Sequence, residues 1–360
     1  MDLDLTKILA LAEFEPLARA VMDPAACDYV AGGAWDEVTL GDNEAAWRRY
    51  RLRPRVLVDV HEVDLRTTML GARTAMPVAI APMAAHGLAH PDGEVATARA
   101  AAAAGVPFTL STMSSRSIEE VAAAAPDGTR WFQLYTQADP GRSRELVERA
   151  AAAGYEAVIV TVDLPMLGYR ERDRRSGFGL PKLGNFDDDV GPTHRPGLDR
   201  LEASGQTLTW ADLATIRSWS SLPLVLKGIL TAEDARIAVE HGVEGMVVSN
   251  HGARQLDRVP TAIDVLAEIV DAVASRSEIC VDGGVRRGLD IAIALALGAR
   301  GVLVGRPVFW ALAAGGQAGV ERALAILEEE SRLALALLGA PSPDRLTAAH
   351  VVQERHRTGT

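Results

Sequence analysis

Eight short apolar runs recur along the middle of the chain and constrain its fold more than any other feature. They begin at Val78, Phe108, Trp131, Val158, Leu224, Met246, Ile279 and Gly301. Between most of them lies an amphipathic or alanine-rich stretch of helix length, namely 93–104, 117–124, 142–153, 232–241, 263–274 and 289–297. Apolar strands that alternate with helices are typical of a parallel sheet buried on both faces. Eight strands also close a barrel with a filled interior. The pattern predicts an α/β fold, a TIM (β/α)8 barrel, with a doubly wound open sheet as the alternative.

The segments on either side of the runs complete one domain. A chain of 360 residues has the size of a single barrel domain, so we expect residues 1–360 to form one, with the barrel at about 76–315. Before it, apolar positions between Leu5 and Met22 recur at helical spacing, and Pro16 is expected to split this N-terminal helical segment into two short helices. After it, a C-terminal helix is expected at about 319–338.

The longest interval, between the fourth and fifth runs, contains a stretch rich in Arg, Asp, Gly and Pro at about 170–207. It is too long for a plain connection and too polar for core, which predicts an insertion after strand four. An insertion on the catalytic face of a barrel often acts as a lid. A surface loop without a functional role is the alternative.

Composition argues against several classes of function. The net charge of −11 disfavours binding to nucleic acid or to an anionic membrane. No run of about 18 apolar residues could span a membrane, and the N-terminus lacks the features of a signal peptide. Cys27 and Cys280 are the only cysteines and cannot form a disulfide framework or a zinc site. We therefore expect a cytoplasmic protein without a metal.

Polar or hydrogen-bonding residues follow almost every predicted strand. The carboxyl ends of the strands form the active site of a barrel enzyme. The residues at these ends include Pro82, Met83, Ala84, Ser111, Met113, Gln133, Tyr135, Thr161, Asp163, Lys227, Ser249, His251, Asp282, Gly283, Gly284, Arg286, Gly305 and Arg306. Since a barrel stabilised by packing alone would not need these groups, we predict that they form the active site.

One strand end carries a proton acceptor and a fixed cation, His251 and Arg254, three residues apart. Neutral imidazole accepts a proton near pH 7, and arginine binds a carboxylate through two hydrogen bonds. Gly252 lets the backbone turn where a side chain would clash. The pair suits chemistry on an anionic substrate, although a lone loop histidine is more often structural.

Two glycine turns beside arginines predict a phosphate site. Gly283, Gly284 and Arg286 follow the seventh run, and Gly305 and Arg306 end the eighth. Glycines expose backbone N–H groups, arginine adds charge, and the loops after strands seven and eight of barrels commonly bind phosphate. The G-x-G-x-x-G fingerprint follows none of the strands, so a mononucleotide or phosphosugar is expected rather than NAD.

Together these motifs resemble those of the FMN-dependent α-hydroxy acid oxidases and dehydrogenases, which include glycolate, lactate and hydroxymandelate oxidases. The segment SNHGARQLD at 249–257 resembles the family signature, and the resemblance extends from Asp28 to about Ala349. Other matching segments are IAP at 80–82, QLY at 133–135, TVD at 161–163, KG at 227–228, DGGVRRG at 282–288 and GRP at 305–307. The resemblance implies FMN as cofactor, an (S)-2-hydroxy acid as substrate and a homotetramer.

The resemblance also implies a role for each matching catalytic residue. His251 resembles the catalytic base, and Asp163 the carboxylate that stabilises its protonated form. Arg254 and Tyr29 resemble the clamp on the substrate carboxylate, and Arg170 a second, more mobile arginine. Tyr135 resembles the group that hydrogen-bonds the substrate hydroxyl or its developing oxyanion.

The implied FMN contacts occupy the remaining strand ends. Lys227 resembles the lysine at the flavin ring, where it would stabilise negative charge, although a surface lysine is the alternative from the sequence alone. The other implied contacts are Pro82, Met83, Ala84, Ser111, Gln133, Thr161 and Ser249 along the flavin, with Asp282, Gly283, Gly284, Arg286, Gly305 and Arg306 at the phosphate.

Departures from the pattern bear on the substrate and the electron acceptor. Met113 stands where glycolate oxidase has a tryptophan, and Val30 replaces its second tyrosine. We therefore expect Met113 to contact the substrate in a pocket that accepts side chains larger than the hydrogen of glycolate. Ala84 matches the residue near the flavin of oxidases, where several dehydrogenases carry glycine, so we expect dioxygen as acceptor and hydrogen peroxide as product.

Three alternatives remain open at the level of sequence. The chain could be a dehydrogenase that passes electrons to a quinone or another acceptor. It could be a different FMN barrel enzyme, such as type 2 isopentenyl diphosphate isomerase or a dihydroorotate dehydrogenase. It could also be a non-catalytic flavin-binding protein. The joint presence of His251, Arg254 and Tyr29 disfavours the last two.

Overall fold

The computed structural model describes residues 3–186 and 208–354. Its strands, in chain order, are β1 Tyr50–Leu52, β2 Thr67–Met69, β3 Ala72–Thr74, β4 Val78–Ile80, β5 Phe108–Ser111, β6 Arg130–Leu134, β7 Ala157–Thr161, β8 Leu224–Ile229, β9 Gly245–Val248, β10 Glu278–Asp282, β11 Gly301–Val304 and β12 Val351–Gln353. Strands β4 to β11 form a closed, all-parallel barrel in chain order, in which β11 pairs with β4. The predicted barrel is confirmed, and the open-sheet alternative is wrong.

The barrel strands are apolar throughout because both of their faces are covered. Most of them are buried at every residue. Alternate residues fill the interior in a cluster made of Ala79, Ala81, Trp131, Ala157, Ile159, Val225, Val247, Cys280 and Leu303, joined by Met69. Met69 belongs to the β2–β3 hairpin, whose Leu70 N–H donates to the carboxylate of Glu278 at the start of β10. This hairpin, which the sequence analysis missed, closes the amino-terminal end of the barrel.

Helices cover the outside of the barrel. In chain order they are α1 Phe14–Arg19, α2 Pro24–Ala31, α3 Val38–Trp47, α4 Gly93–Ala103, α5 Ile118–Ala124, α6 Pro140–Ala152, α7 Glu171–Ser176, α8 Asp212–Arg217, α9 Ala232–Glu240, α10 Ala262–Val273, α11 Gly288–Ala296 and α12 Arg306–Leu338. The six helices predicted between strands are confirmed to within two residues. Local caps explain several boundaries: Ser117 and Glu120 form a capping box on α5, and Thr231 caps α9.

The N-terminal helical segment is broken at a different place from the one expected. Pro16 lies in the first turn of α1, where a missing backbone N–H removes no helical hydrogen bond. The break falls earlier, between two single-turn 3-10 helices at Leu5–Lys7 and Leu11–Glu13. The expectation that Pro16 splits the segment is therefore wrong.

The insertion between β7 and β8 is partly core. Phe178, Leu180, Leu183 and Phe186 are buried and belong to the main apolar cluster. The expectation that this stretch is too polar for core is wrong for its first part, because four apolar side chains are spaced among its charged residues. The rest of the predicted lid, at 187–207, lies outside the described residues.

The C-terminal part of the chain packs along the barrel and returns to its N-terminal part. The helix expected at about 319–338 falls within α12, whose helical dihedral angles are interrupted at Gly315 and Gly316. Strand β12 then pairs antiparallel with β1. In the described ranges, no helix has the length and apolar character needed to cross a membrane.

Candidate active site

A cavity opens at the carboxyl ends of the barrel strands. Most of the predicted site residues line it: Tyr29, Pro82, Met83, Ala84, Ser111, Met113, Tyr135, Thr161, Arg170, Lys227, His251, Arg254, Asp282, Gly283, Gly284, Arg286, Gly305 and Arg306. The other three, Gln133, Asp163 and Ser249, do not line it but hydrogen-bond to residues that do. The predicted site residues therefore surround one cavity at a single end of the barrel.

His251 lies between a carboxylate and a phenol. Its Nδ1 atom is 2.9 Å from Oδ1 of Asp163, and its Nε2 atom is 3.1 Å from the hydroxyl of Tyr135. Because a carboxylate only accepts, the Nδ1–H group donates to Asp163, and Nε2 keeps its lone pair. The backbone at His251, Gly252 and Ala253 is left-handed, with φ of 58°, 60° and 64°. This uncommon turn aims the imidazole into the cavity.

Burial and neighbouring charges favour a neutral imidazole beside an ionised carboxylate. Burial lowers the pKa of His251, and the cations of Lys227 and Arg170 lower it further, against the opposing effect of Asp163. Burial alone would raise the pKa of Asp163, but the charge and hydrogen bond of His251, together with Lys227, hold this pKa below its usual value. Burial also raises the pKa of Tyr135, so its phenol stays protonated.

A β-bulge at Gly228 brings Asp163 close to the end of β8. The pairing of β8 with β9 shifts register between Lys227 and Ile229, and Gly228 has a φ of 114°. A Cβ atom at this position would lie 2.6 Å from Cβ of Asp163. Only glycine combines this backbone conformation with such a close approach.

The carboxylate-binding side of the cavity is built from two arginines and a tyrosine. The Nη1 group of Arg254 donates to the backbone oxygens of Tyr29 and Gly32, and its guanidinium carbon lies 4.6 Å from the centroid of the Tyr29 ring. Its buried Nη2 group has no hydrogen-bond partner among the described residues. Arg170 donates from Nε to the backbone oxygen of Arg254 at 3.1 Å. This arrangement leaves a free arginine donor for an anionic ligand.

A row of polar side chains crosses the ends of adjacent strands. Ser111 donates to Gln133 at 3.1 Å, and Gln133 donates to Thr161 at 3.0 Å. Lys227 continues the row, with its Nζ atom 2.9 Å from Ser249 Oγ. The neutral side chains and the ammonium group of this row thus offer donors and acceptors that match the heteroatom edge of a flavin ring.

Lys227 also forms an ion pair with Asp282, whose second carboxylate oxygen has no hydrogen-bond partner among the described residues. Its Nζ atom lies 3.3 Å from Oδ2 of Asp282, whereas the buried Oδ1 atom of Asp282 has no hydrogen-bond partner in the described part of the chain. A buried acceptor without a partner is costly unless a ligand donates to it. This atom is therefore a second observation that favours a polar ligand here.

The cavity carries an excess of positive charge around Arg254, where Arg306 also donates to the backbone oxygens of Val30 and Gly32. Burial, together with the charges of Arg254 and Arg286, lowers the pKa of Arg306 to about 9. Burial and the charge of Arg254 likewise lower the pKa of Arg170 to about 10. Among these arginines, Arg286 pairs with Glu44 at 2.6 Å. A phosphate and a carboxylate would relieve this repulsion, so the residues present fit FMN together with an acidic substrate.

Helix α3 supports both ends of the site, which the sequence analysis missed. Asn43 and Asn250 exchange two side-chain hydrogen bonds of 3.0 and 2.7 Å, which ties α3 to the loop of His251. Trp47 donates to the backbone oxygen of Gly283 at 3.0 Å, which ties α3 to the predicted phosphate loop. No periodicity in the sequence signals these contacts, because they join segments that are far apart along the chain.

Two more residues of the site were not predicted. Phe178 stacks on Tyr29 with ring centroids 4.4 Å apart, although it belongs to the insertion. Gln255 lies within the quoted signature, and its buried amide contacts the loop that carries Asp163 and Arg170. In the described ranges, no group of three or more His, Cys, Asp or Glu side chains could hold a metal ion.

Comparisons with known proteins agree with this geometry. Residues 18–353 match the model of the FMN-dependent dehydrogenase family. The L-lactate oxidase of Nostoc sp. is 50% identical over 342 residues, which cover 91% of this chain and 94% of that protein. Glycolate oxidase 1 of Oryza sativa subsp. indica is 46% identical over 360 residues, covering 98% and 97%. The crystal structure of mandelate oxidase with (S)-4-hydroxymandelic acid is similar with a TM-score of 0.90 at 45% identity, covering 96% of this chain and 99% of that one. The chain therefore belongs to the FMN-dependent dehydrogenase family, and its cofactor is FMN.

Proposed function

We propose that the chain oxidises an (S)-2-hydroxy acid to the 2-oxo acid, with dioxygen as the final acceptor and hydrogen peroxide as product. One observation carries the proposal: His251, which is hydrogen-bonded to Asp163, and Arg254, whose Nη2 group has no hydrogen-bond partner among the described residues, line the same cavity as the cationic loops suited to a phosphate. A base and a carboxylate clamp beside a flavin are the groups that this oxidation needs.

The substrate carboxylate binds at Arg254, Arg170 and Tyr29. Arg254 is already held by the backbone oxygens of Tyr29 and Gly32, so little side-chain freedom is lost when the anion binds. The clamp fixes the orientation of the acid in the cavity, and orientation of this kind contributes a large part of enzymatic rate acceleration.

His251 accepts a proton from the substrate at Nε2. Asp163 keeps the other ring nitrogen protonated and then stabilises the imidazolium that forms. The hydroxyl of Tyr135, 3.1 Å from Nε2, lies where it can hydrogen-bond the substrate oxygen. FMN, when bound, would accept the two electrons and the second hydrogen nucleus that leave the substrate.

Residues along the rest of the cavity hold FMN. We assign the phosphate to Gly284, Arg286, Gly305 and Arg306, with Asp282 and Gly283 beside them. We assign the flavin edge to Pro82, Met83, Ala84, Ser111 and Thr161 at the cavity wall, together with Gln133 and Ser249, which hydrogen-bond to Ser111, Thr161 and Lys227. Lys227 stabilises negative charge at the ring. Dioxygen as acceptor is supported by Ala84 at the cavity wall and by relatives that are named oxidases.

The assembly, the domain organisation and the location are also proposals. A homotetramer and a single domain over residues 1–360 are supported by the family resemblance and by the size of the barrel. A cytoplasmic location is supported by two cysteines that are both free and buried. One relative carries the name peroxisomal (S)-2-hydroxy-acid oxidase, so the location needs its own test by cell fractionation.

Anaerobic reduction tests the reaction directly. The purified yellow protein is mixed without air with (S)-lactate, glycolate, (S)-2-hydroxyoctanoate or (S)-mandelate, and air is admitted after the flavin absorbance is recorded. Bleaching followed by recovery and peroxide formation is expected. Bleaching without recovery in air, together with rapid reduction of a dye or quinone, would show that the electrons pass to an acceptor other than dioxygen. A yellow protein that none of the four acids bleaches would overturn the proposal.

A further inference from the structure

The side chain of Gln255 is buried and uses all of its hydrogen-bonding capacity on one loop. Its Nε2 group donates to the backbone oxygens of Asp163 and Met166, both at 2.9 Å. Its Oε1 atom accepts from the backbone N–H of Gly168 at 3.1 Å and from Nη2 of Arg170 at 3.4 Å. A side-chain amide has two donors and one acceptor oxygen, so every position is filled.

The orientation of this amide is fixed by the chemistry of its neighbours. Both groups at Nε2 are carbonyl oxygens, and both groups at Oε1 are N–H donors. A flipped amide would place oxygen against oxygen and donor against donor. The NH2 group of Gln255 therefore donates to the part of the loop next to Asp163, and its oxygen accepts from the part next to Arg170.

The loop also lies directly on the backbone that carries Gln255. A Cβ atom at Gly168 would come 2.4 Å from the backbone oxygen of Arg254 and 2.9 Å from Cα of Gln255, so no larger residue permits this approach. Arg170 contacts the same backbone oxygen of Arg254 from Nε, at 3.1 Å. The contact is thus formed by main chain, by one amide and by one guanidinium.

We propose that Gln255 is a positioning residue that sets Asp163 and Arg170 against His251 and Arg254. This inference rests on the proposed function. In that function Asp163 supports the base and Arg170 binds the substrate carboxylate, and one amide would position both. Asp163 and Arg170 stand at the two ends of the same loop, and Gln255 bonds to both ends and to Met166 and Gly168 between them. Displacement of that loop moves both groups.

The variant Gln255→Met tests the inference, since methionine has a similar length and offers no comparable donor or acceptor. We expect KM for the best substrate to rise, kcat to fall and kcat/KM to drop by about 100-fold, because a misplacement of about 1 Å has this order of effect. The flavin spectrum and the FMN dissociation constant should stay close to those of the wild type. Gln317→Met is the matched control, because the side chain of Gln317 donates to Glu321 within α12 and does not line the cavity.

Double-mutant cycles separate positioning from a general structural effect. If Gln255 acts through its loop, Gln255→Met should add little to the raised KM of an Arg170→Met protein and little to the lowered kcat of an Asp163→Asn protein. The inference would be overturned if Gln255→Met lowered kcat/KM by the same factor in the wild-type, Arg170→Met and Asp163→Asn proteins. It would also be overturned by a Gln255→Met protein with wild-type kcat and KM.

A second variant keeps the test decisive if the methionine protein does not bind FMN. Gln255→Glu keeps an acceptor oxygen but loses both donated hydrogen bonds. Its kcat should fall in the wild-type background and should change little in an Asp163→Asn background. A normal kcat in this variant would overturn the inference. A wild-type protein that no 2-hydroxy acid reduces would instead overturn the proposed function, and the inference with it.

Discussion

The Nδ1 atom of His251 lies 2.9 Å from Oδ1 of Asp163, and the other carboxylate oxygen of Asp163 has no hydrogen-bond partner among the described residues. The Oδ2 atom is buried, yet in the described part of the chain the carboxylate hydrogen-bonds a single side chain, that of His251. Most buried carboxylates are satisfied by several donors, so this one is specialised for the imidazole. Its negative charge stabilises His251 most strongly when the imidazole is protonated. Proton transfer from the substrate creates this imidazolium.

Replacement of Asp163 by asparagine should therefore disable the base without disturbing the cavity. The asparagine amide can donate to Nδ1 of His251, which moves the ring proton to Nε2 and removes the lone pair that faces the substrate. We expect kcat for flavin reduction to fall by roughly 10²–10⁴-fold, the usual contribution of general base catalysis. Stopped-flow reduction under anaerobic conditions measures this change. An Asp163→Asn protein reduced at the wild-type rate would contradict the assigned role.

The pH dependence of kcat/KM should show the neutral state of His251. The charged or titratable groups that face this imidazole are Asp163, Tyr135, Lys227 and Arg170. Because burial lowers the pKa of His251, the base stays deprotonated to lower pH than a free histidine of pKa about 6.5. The acid limb of the profile should therefore have its midpoint below that value, with activity lost as pH falls through it.

The sign of the Asp163 effect gives a second check on the same profile. The negative charge of Asp163 favours the protonated imidazole, so its removal lowers the pKa of His251 further. The residual activity of Asp163→Asn should have an acid limb at still lower pH than that of the wild type. A limb that moves to higher pH would mean that another group governs the profile.

Arg306 should determine how tightly FMN is held. Its Nε and Nη2 groups donate to the backbone oxygens of Val30 and Gly32 at the cavity wall, and its charge is buried beside Arg254 and Arg286, so a bound phosphate would compensate for that charge. A charge-assisted hydrogen bond contributes about 1.5–3 kcal/mol, so Arg306→Gln should weaken FMN binding by roughly 10- to 100-fold. Arg287→Gln is the control, since Arg287 is half-exposed and pairs with Glu330 outside the cavity. Titration of the apoprotein with FMN, followed by flavin fluorescence, compares the two variants.

The barrel and most of the site follow from local sequence patterns. Each barrel strand is an apolar run of three to six residues, and most site residues lie at or just after the carboxyl end of such a run, as Lys227 does near the end of β8. Such offsets identify the strand ends without any knowledge of long-range contacts. His251 and Arg254 were identified in this way, and the structure brings both to one cavity.

The features that were missed depend on contacts between distant segments. The β2–β3 hairpin has no apolar run of its own, and Met69 becomes recognisable as core only when the barrel interior is present. Phe178 follows a charged helix, so its neighbours predict a surface loop, although the ring stacks on Tyr29. Long-range packing of this kind overrides local composition and leaves no periodic signal.

Loss of the Phe178 ring should loosen the substrate clamp. Phe178 holds Tyr29 by stacking at 4.4 Å, and Tyr29 in turn lies under the guanidinium of Arg254. An aromatic pair contributes about 0.5–1.5 kcal/mol beyond its burial, so Phe178→Leu should raise KM by roughly 2- to 10-fold with a smaller change in kcat. Steady-state kinetics with the best substrate measure both constants. An unchanged KM with reduced thermal stability would show that the ring matters only for packing.

The width of the substrate pocket should depend on Met113. Its side chain is buried and lines the cavity together with Val30, so a larger ring at this position would occupy space that a substrate side chain needs. Met113→Trp should therefore lower kcat/KM for (S)-mandelate and (S)-2-hydroxyoctanoate much more than for glycolate. A difference of one methylene in a pocket corresponds to roughly 10- to 200-fold, and the selectivity for glycolate should rise by at least about 10-fold.

Because the enlarged ring also crowds the core, the ratio between substrates is the decisive quantity in that experiment. Overpacking costs about 1–3 kcal/mol of stability and lowers the fraction of folded enzyme, but it lowers the apparent rate equally for every acid. The ratio of kcat/KM values, measured on one preparation of known FMN content, is insensitive to this loss. If Met113→Trp lowers kcat/KM by the same factor for glycolate and for mandelate, Met113 does not limit the size of the substrate side chain. Other residues of the cavity must then form that wall.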